Sequence, residues 1–170
     1  MAIPPDFRTL PFETARVADS GRYVGRSTYW KLYVVENLIR VVVHSVLSIQ
    51  VGPAWWNVAV DSNTNGNVQK VMRNYASQPS RSLPGRHKIY YLYLPDLMKI
   101  ISTNSHLFRP IIPDIDSWIV RFEQIRLPRN IVGHMNWLNS SDKTLIDEIY
   151  TDLKILMRKL LNSGVALDIP

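Results

Sequence analysis

The chain contains no cysteine. That excludes a disulfide scaffold, a thiolate metal site and a cysteine nucleophile, and it fits a reducing compartment. There is no P-loop, no glycine-rich dinucleotide turn and no Gly-x-Ser-x-Gly elbow. Internal repeats and low-complexity tracts are also missing. No long apolar run goes uninterrupted. The most apolar stretch, "LYVVENLIRVVVHSVLSIQVG", is broken by Glu36, Arg40 and His44, so a membrane span is not expected. The N-terminal "MAIPPDFRTLPFETAR" lacks an apolar signal core. These features predict a soluble, cytoplasmic protein with no membrane partner. Acidic residues are fewer than basic ones, 14 against 20, which leaves a net charge of +6 and suits an anionic partner such as nucleic acid without requiring one.

What is present suits one folded domain. The 170 residues are 46% hydrophobic and 20% charged, too apolar for a disordered chain. Residues 1–21 hold three prolines and no clear period, and read as an extended lead-in. Residues 27–50 read as a first long helix, too long for a strand despite the "VVV" run, and Gly52–Pro53 ends it. "AWWNVAV" is a short apolar element, helical or extended; "DSNTNGN" is a polar turn; "NVQKVMRNYASQ" is a second helix. "IYYLYL" fits a short strand or an apolar helix edge, and Pro95 opens "DLMKIISTN" as a helix. Asp114 or Asp116 suits the cap of a helix whose Trp118, Phe122 and Ile125 share one face. Ser140 or Ser141 suits the cap of the last helix, with a stripe of Ile146, Ile149, Leu153, Leu156 and Leu160 and a stop at Gly164. The expected architecture is an all-α bundle over residues 22–163, with a small irregular or β insertion allowed and a tail at 164–170.

The unusual text is "RLPRNIVGHMNW", Arg126 to Trp137. Proline disfavours α geometry in the residue before it. Leu127 is therefore expected to end one helix and Pro128 to open the next. Arg129 and Asn130 would then stand in a first turn, where unpaired N–H groups and the helix dipole favour an anion. Arg129 adds a planar fork matched to phosphate oxygens. His134, four residues after Asn130, would share its face and can hold or release a proton near neutral pH. Gly133 would leave the surface beside it bare. A phosphate donor beside an imidazole is a workable kit for cleaving a phosphodiester.

The segment "RNIVGH" resembles the signature of the HEPN family of helical nucleases and nucleotide-binding domains: Arg, a polar residue, three residues, His. A second likeness lies in "YWKLYVVENLIRVVV", which resembles the first helix of one HEPN branch, with Glu36, Asn37 and then Arg40. Pro128 before the arginine, Gly133 before the histidine and Met135 after it depart from the residues the family usually carries there. The resemblance implies a metal-independent endoribonuclease without cofactors. In it the RNA 2′-hydroxyl attacks the adjacent phosphate, leaving a 2′,3′-cyclic phosphate and a 5′-hydroxyl, at a composite site shared across a homodimer. Carried over, Arg129 would stabilise the phosphorane, His134 would act as acid or base or hold the phosphate, and Asn130 would orient the scissile group. It also implies a toxin, antiviral or stress-response role with an antitoxin or defence-complex partner. Some members are non-catalytic dimerisation or RNA-binding modules, which is the alternative here.

Glu36 and Arg40 are spaced i,i+4 in the favourable order and read equally as an ordinary ion pair. Because their helix is apolar nearly all round, the polar stripe Glu36, Asn37, Arg40 and His44 needs partners, and it is expected to face Arg129 and His134. The basic loop "RSLPGRHK" is either a solvated loop or, through Arg81, Arg86 and Lys88, a grip on RNA phosphates. Trp55 and Trp56 either stack bases or, more simply, fill the core. His44, His87 and His106 show no metal-ligand spacing, and "DID" at Asp114 to Asp116 suits capping better than Mg²⁺, so no metal site is expected.

Overall fold

The computed structural model describes residues 6–9 and 11–170, and the described residues form helices and turns with no strand. In chain order the helices are α1 (Thr14–Val24), α2 (Trp30–Val51), α3 (Trp55–Ala59), α4 (Ser62–Ala76), α5 (Leu94–Thr103), α6 (Ser105–Phe108), α7 (Ile115–Gln124), α8 (Arg126–Gly133) and α9 (Ser140–Asn162). A π-helical turn at Gly25–Tyr29 joins α1 to α2, and a 3₁₀ turn at Lys88–Tyr91 precedes α5.

α2 is the axis of the molecule. Leu32, Val35, Ile39, Val42, Val43, Val46 and Leu47 recur at helical spacing and are all buried. Each such side chain contributes about 1.5–3 kcal/mol on leaving water, which outweighs the few tenths that valine costs a helix. α3, α5, α6 and α9 pack against α2, and the core fills with Trp55, Phe108, Leu97, Ile101 and Leu153. Gly52 stops α2. Its φ of 100° lies where a side chain is strained, while its N–H still bonds Ser48 O at 2.9 Å. By length and hydropathy the continuous helix Thr14–Val51 could cross a membrane, but half of its most apolar window is buried against the rest of the domain.

Several expected boundaries move. The lead-in is not extended over its whole length: helix begins at Thr14, while residues 1–5 and 10 lie outside the described residues. A helix already nucleated in the α2 region extends backward at little cost per residue. Tyr23 anchors that extension by stacking on Trp137, with ring centroids 4.9 Å apart, and Lys143 lies over both rings. "DSNTNGN" is not a turn but the start of α4, because Asp61 caps it, accepting from Thr64 N at 3.0 Å and Thr64 Oγ1 at 2.6 Å. α9 is capped by Asn139, whose Oδ1 accepts from Asp142 N at 2.8 Å, rather than by Ser140 or Ser141. "IYYLYL" is neither strand nor helix edge but the 3₁₀ turn followed by the entry to α5, where the Asp96 carboxylate accepts from Tyr93 N at 3.1 Å. The tail at 164–170 runs back onto the domain: Val165 and Leu167 touch the core, and Asp168 N donates to Ser45 Oγ at 2.8 Å.

Asn104, between α5 and α6, is buried and clamps two elements. Its Nδ2 donates to Ala59 O at 3.0 Å and to Ile100 O at 2.8 Å. Asn104→Ala orphans the Ala59 carbonyl and should cost about 1–3 kcal/mol in urea denaturation. A change within about 0.5 kcal/mol, the scatter of inert surface substitutions, would show that the clamp carries no weight.

Candidate functional site: an arginine groove

Glu36, Asn37 and Arg40 share one face of α2, as their spacing requires. Arg40 is the most enclosed, with its side chain 10% exposed. Its Nη2 donates to Glu36 Oε1 at 2.6 Å and to Leu92 O at 3.0 Å, and its Nη1 to Asn37 Oδ1 at 3.2 Å. The Arg40 Nε is buried without a hydrogen-bond partner. Asn37 Nδ2 donates to Tyr33 O at 2.8 Å, which fixes its carbonyl toward Arg40. The second oxygen of Glu36 reaches 93 positions along the chain: Oε2 accepts from Arg129 Nε at 3.1 Å. One carboxylate, 15% exposed, therefore sits between two guanidiniums. This triad carries a net charge of +1, and because Glu36 engages Arg129 through Nε, the two Nη groups are left to other partners.

The triad lines a groove of about 550 Å³, within the usual range for ligand clefts. Tyr29 and Tyr33 bound it on the α2 side, Pro84, Tyr90 and Tyr93 on the side of the basic loop, and Val132, Gly133 and Met135 on the α8 side. The Arg129 guanidinium lies 5.9 Å from the Tyr93 ring centroid, a cation–π distance. Tyr29 is held out at the groove by the π turn. The carbonyls that such a wide turn loosens are met by side chains, Ser27 Oγ donating to Tyr23 O and Trp30 Nε1 to Arg26 O, each at 2.7 Å.

The joint itself differs from expectation. Leu127 does not end a helix. α7 ends at Gln124, Ile125 is the hinge, and Pro128 is the third residue of α8. The first four N–H groups of any helix lack an internal partner, so proline is harmless at the third position too. Arg129 N already bonds Ile125 O at 2.9 Å, so no open mouth of N–H groups surrounds Arg129. The charge at the groove comes from side chains alone. Gly133 is not required to keep space: a Cβ there would lie 3.7 Å from Arg129 Nη1, an ordinary contact.

His134 caps the end of α8, its N–H bonding Asn130 O at 2.9 Å. Asn130 is half-buried, His134 is exposed, and neither lines the groove, although Gly133 and Met135 do. The chain then turns through Met135 at φ 60°. Met135 N bonds Val132 O, and Asn136 N bonds Ile131 O, each at 2.9 Å, which closes a Schellman turn normally given to glycine. His44, expected on the Arg129 stripe, faces elsewhere: its Nδ1 accepts from Trp55 Nε1 at 3.2 Å. Trp55 and Trp56 are core residues. Of the basic loop, Arg81 and Arg86 are exposed, while Lys88 lies over the Trp56 ring at 5.5 Å. Asp116 pairs with Arg109 at 3.0 Å, and among the described residues no group of three His, Asp or Glu side chains is placed to hold a metal ion. The only trace of the tyrosine rim in the sequence is the density of tyrosine in "STYWKLY" and "IYYLY".

No protein-family model matches this chain, and neither a curated protein nor a solved structure is significantly similar to it.

Glu36→Ala leaves the enclosed Arg40 without its anion and should destabilise the fold by about 3 kcal/mol, as breaking a buried pair does. Met135→Gly should add about 0.5–1 kcal/mol by relieving the left-handed residue. Chemical denaturation checks both, and Glu36→Ala unfolding like the parent would mean the triad is decorative.

Proposed function

We propose that this chain is a metal-independent endoribonuclease of the HEPN type, acting as a homodimer on RNA in the cytoplasm. The observation that carries the reading is the Arg129–Glu36 hydrogen bond. It joins the two segments on which the family resemblance rests, in one groove that also holds Arg40. Chance likeness in two separate motifs gives no reason for them to meet.

The chemistry follows from the groups present. The two Nη groups of Arg129 are suited to the oxygens of a phosphate, and to the added charge of a phosphorane. A His134 imidazole takes the proton of the RNA 2′-hydroxyl as its oxygen bonds to phosphorus. The P–O5′ bond breaks, a second imidazole protonates the leaving O5′, and the products are a 2′,3′-cyclic phosphate and a 5′-hydroxyl. The chain has one His134, so the second imidazole comes from a second copy. Support for that copy lies on and just past α8, where Leu127 and Ile131 stand one turn apart at 62% and 36% exposure and Met135, in the turn that closes the helix, is 80% exposed. The exposed rings of Tyr29, Tyr33 and Tyr93 offer faces on which RNA bases can stack. Arg81 and Arg86 make no ion pair among the described residues and supply charge for the backbone.

One observation favours a second reading. Within a single chain His134 stands outside the groove. If no second copy brings an imidazole to Arg129, the groove binds RNA without cutting it, as a non-catalytic module of a defence or regulatory complex.

Incubation with RNA in excess EDTA separates the readings. The parent protein should cleave and His134→Ala should be slower by about 100-fold or more. Loss of cleavage in EDTA contradicts the metal-free mechanism, and equal rates contradict the role of His134. Ile131→Glu should turn the dimer into a monomer in sedimentation and abolish cleavage. A monomeric parent that still cleaves would contradict the composite site.

A further inference from the structure

A second cluster of titratable groups lies outside the residues that line the groove. His44 on α2 and His87 before the 3₁₀ turn have ring centroids 5.0 Å apart. The His87 ring stacks on Trp55 at 5.6 Å and meets Trp56 edge-on at 5.9 Å. Each imidazole has its Nδ1 committed as an acceptor: His44 from Trp55 Nε1, His87 from the Ile89 backbone N–H, both at 3.2 Å. Both rings are therefore neutral and carry their proton on Nε2. A proton added at either Nδ1 would point at an N–H donor and break the bond it replaced.

His87 is also where the basic loop ends. The segment 77–87 is pinned at that end by three contacts: the His87 ring in its aromatic box, Tyr91 Oη donating to Gly85 O at 3.1 Å, and Tyr90 lying so close over Gly85 that a Cβ there would be 2.3 Å from its ring. The same segment supplies Pro84 to the groove, and Tyr90 and Tyr93 follow directly. Whatever loosens His87 loosens one wall of the arginine groove.

We propose that His44 and His87 form an acid-operated latch: when protonated, the pair releases the strap 77–87, unmaking the loop wall of the arginine groove and displacing Arg81 and Arg86 from beside it. The release stands by itself; its effect on RNA rests on the ribonuclease reading. The charged groups around the pair are Lys88, which opposes protonation of His87, and Asp168 from the C-terminal tail, which favours protonation of His44. The tryptophan faces could hold an imidazolium, but Lys88 already lies over Trp56. Burial outweighs Asp168 and holds His44 below the ordinary imidazole value of 6.5. Burial, then His44 and Lys88, do the same for His87.

The direction follows from linkage. In the released strap both groups return toward 6.5, so the latched state has its full stability above that pH. Stability falls as pH drops through 6.5 and stops falling below the latched-state values.

Amide hydrogen exchange of the RNA-free protein from about pH 8 to about pH 5, corrected for intrinsic rates, tests this. Protection of the Ile89 amide and of strap amides should fall by up to about tenfold per pH unit for each histidine, while α9 amides stay protected. His44→Asn with His87→Asn keeps an acceptor at each Nδ1 position and cannot titrate; it should remain latched at about pH 5. Three results overturn the latch: Ile89 protected throughout in the parent, equal loss in the double variant, or loss shared by α9. RNA cleavage is then measured separately. A working latch on a protein that cuts no RNA contradicts only the ribonuclease reading.

Discussion

The site depends on one shared carboxylate. Glu36 cannot serve Arg40 and Arg129 together unless α2, the turn at Leu92 and α8 hold fixed positions, because each guanidinium comes from a different stretch of chain. Arg40 left without the anion would be an enclosed, uncompensated charge, and that cost is several times an exposed ion pair's value. Glu36 thereby orients Arg129 through Nε and leaves its fork free. The polar stripe on an otherwise apolar helix is explained by this demand, except for His44, which belongs to the aromatic box of Trp55, Trp56 and His87.

Two of the molecule's irregularities stand on the rim of that groove. A π turn presents Tyr29 and a left-handed methionine closes α8, while α8 itself shows Leu127 and Ile131 to solvent. Each costs stability in an isolated chain. They contrast with the regular packing of α2 on α9.

Where side-chain period and burial agree, the text was readable. The stripe of α9 and the Trp118, Phe122, Ile125 face appear as their spacing demands, and the Glu36–Arg40 pair follows from i,i+4 geometry alone. The need of buried charge for partners predicts a stripe facing Arg129 and His134; Glu36 meets Arg129, while His134 stands outside the groove. Errors arose where local chemistry allowed two outcomes. Pro128 is equally harmless at the first or third helical position, so it could not mark the boundary. "DSNTNGN" has turn composition, yet one capping aspartate and the adjoining helix decide it. The tyrosine rim and the His44–His87 pair depend on how 77–93 folds over α2, which no short-range pattern encodes.

The central claim is that Arg129, set by Glu36, serves a phosphate attacked by its own 2′-hydroxyl. End-group analysis of RNA incubated with the protein in EDTA tests this most directly. A 2′,3′-cyclic phosphate with a 5′-hydroxyl, lost when the nucleotide at the cut is 2′-deoxy, is the predicted result. Products with a 5′-phosphate and a 3′-hydroxyl would contradict it, since they require water as the nucleophile.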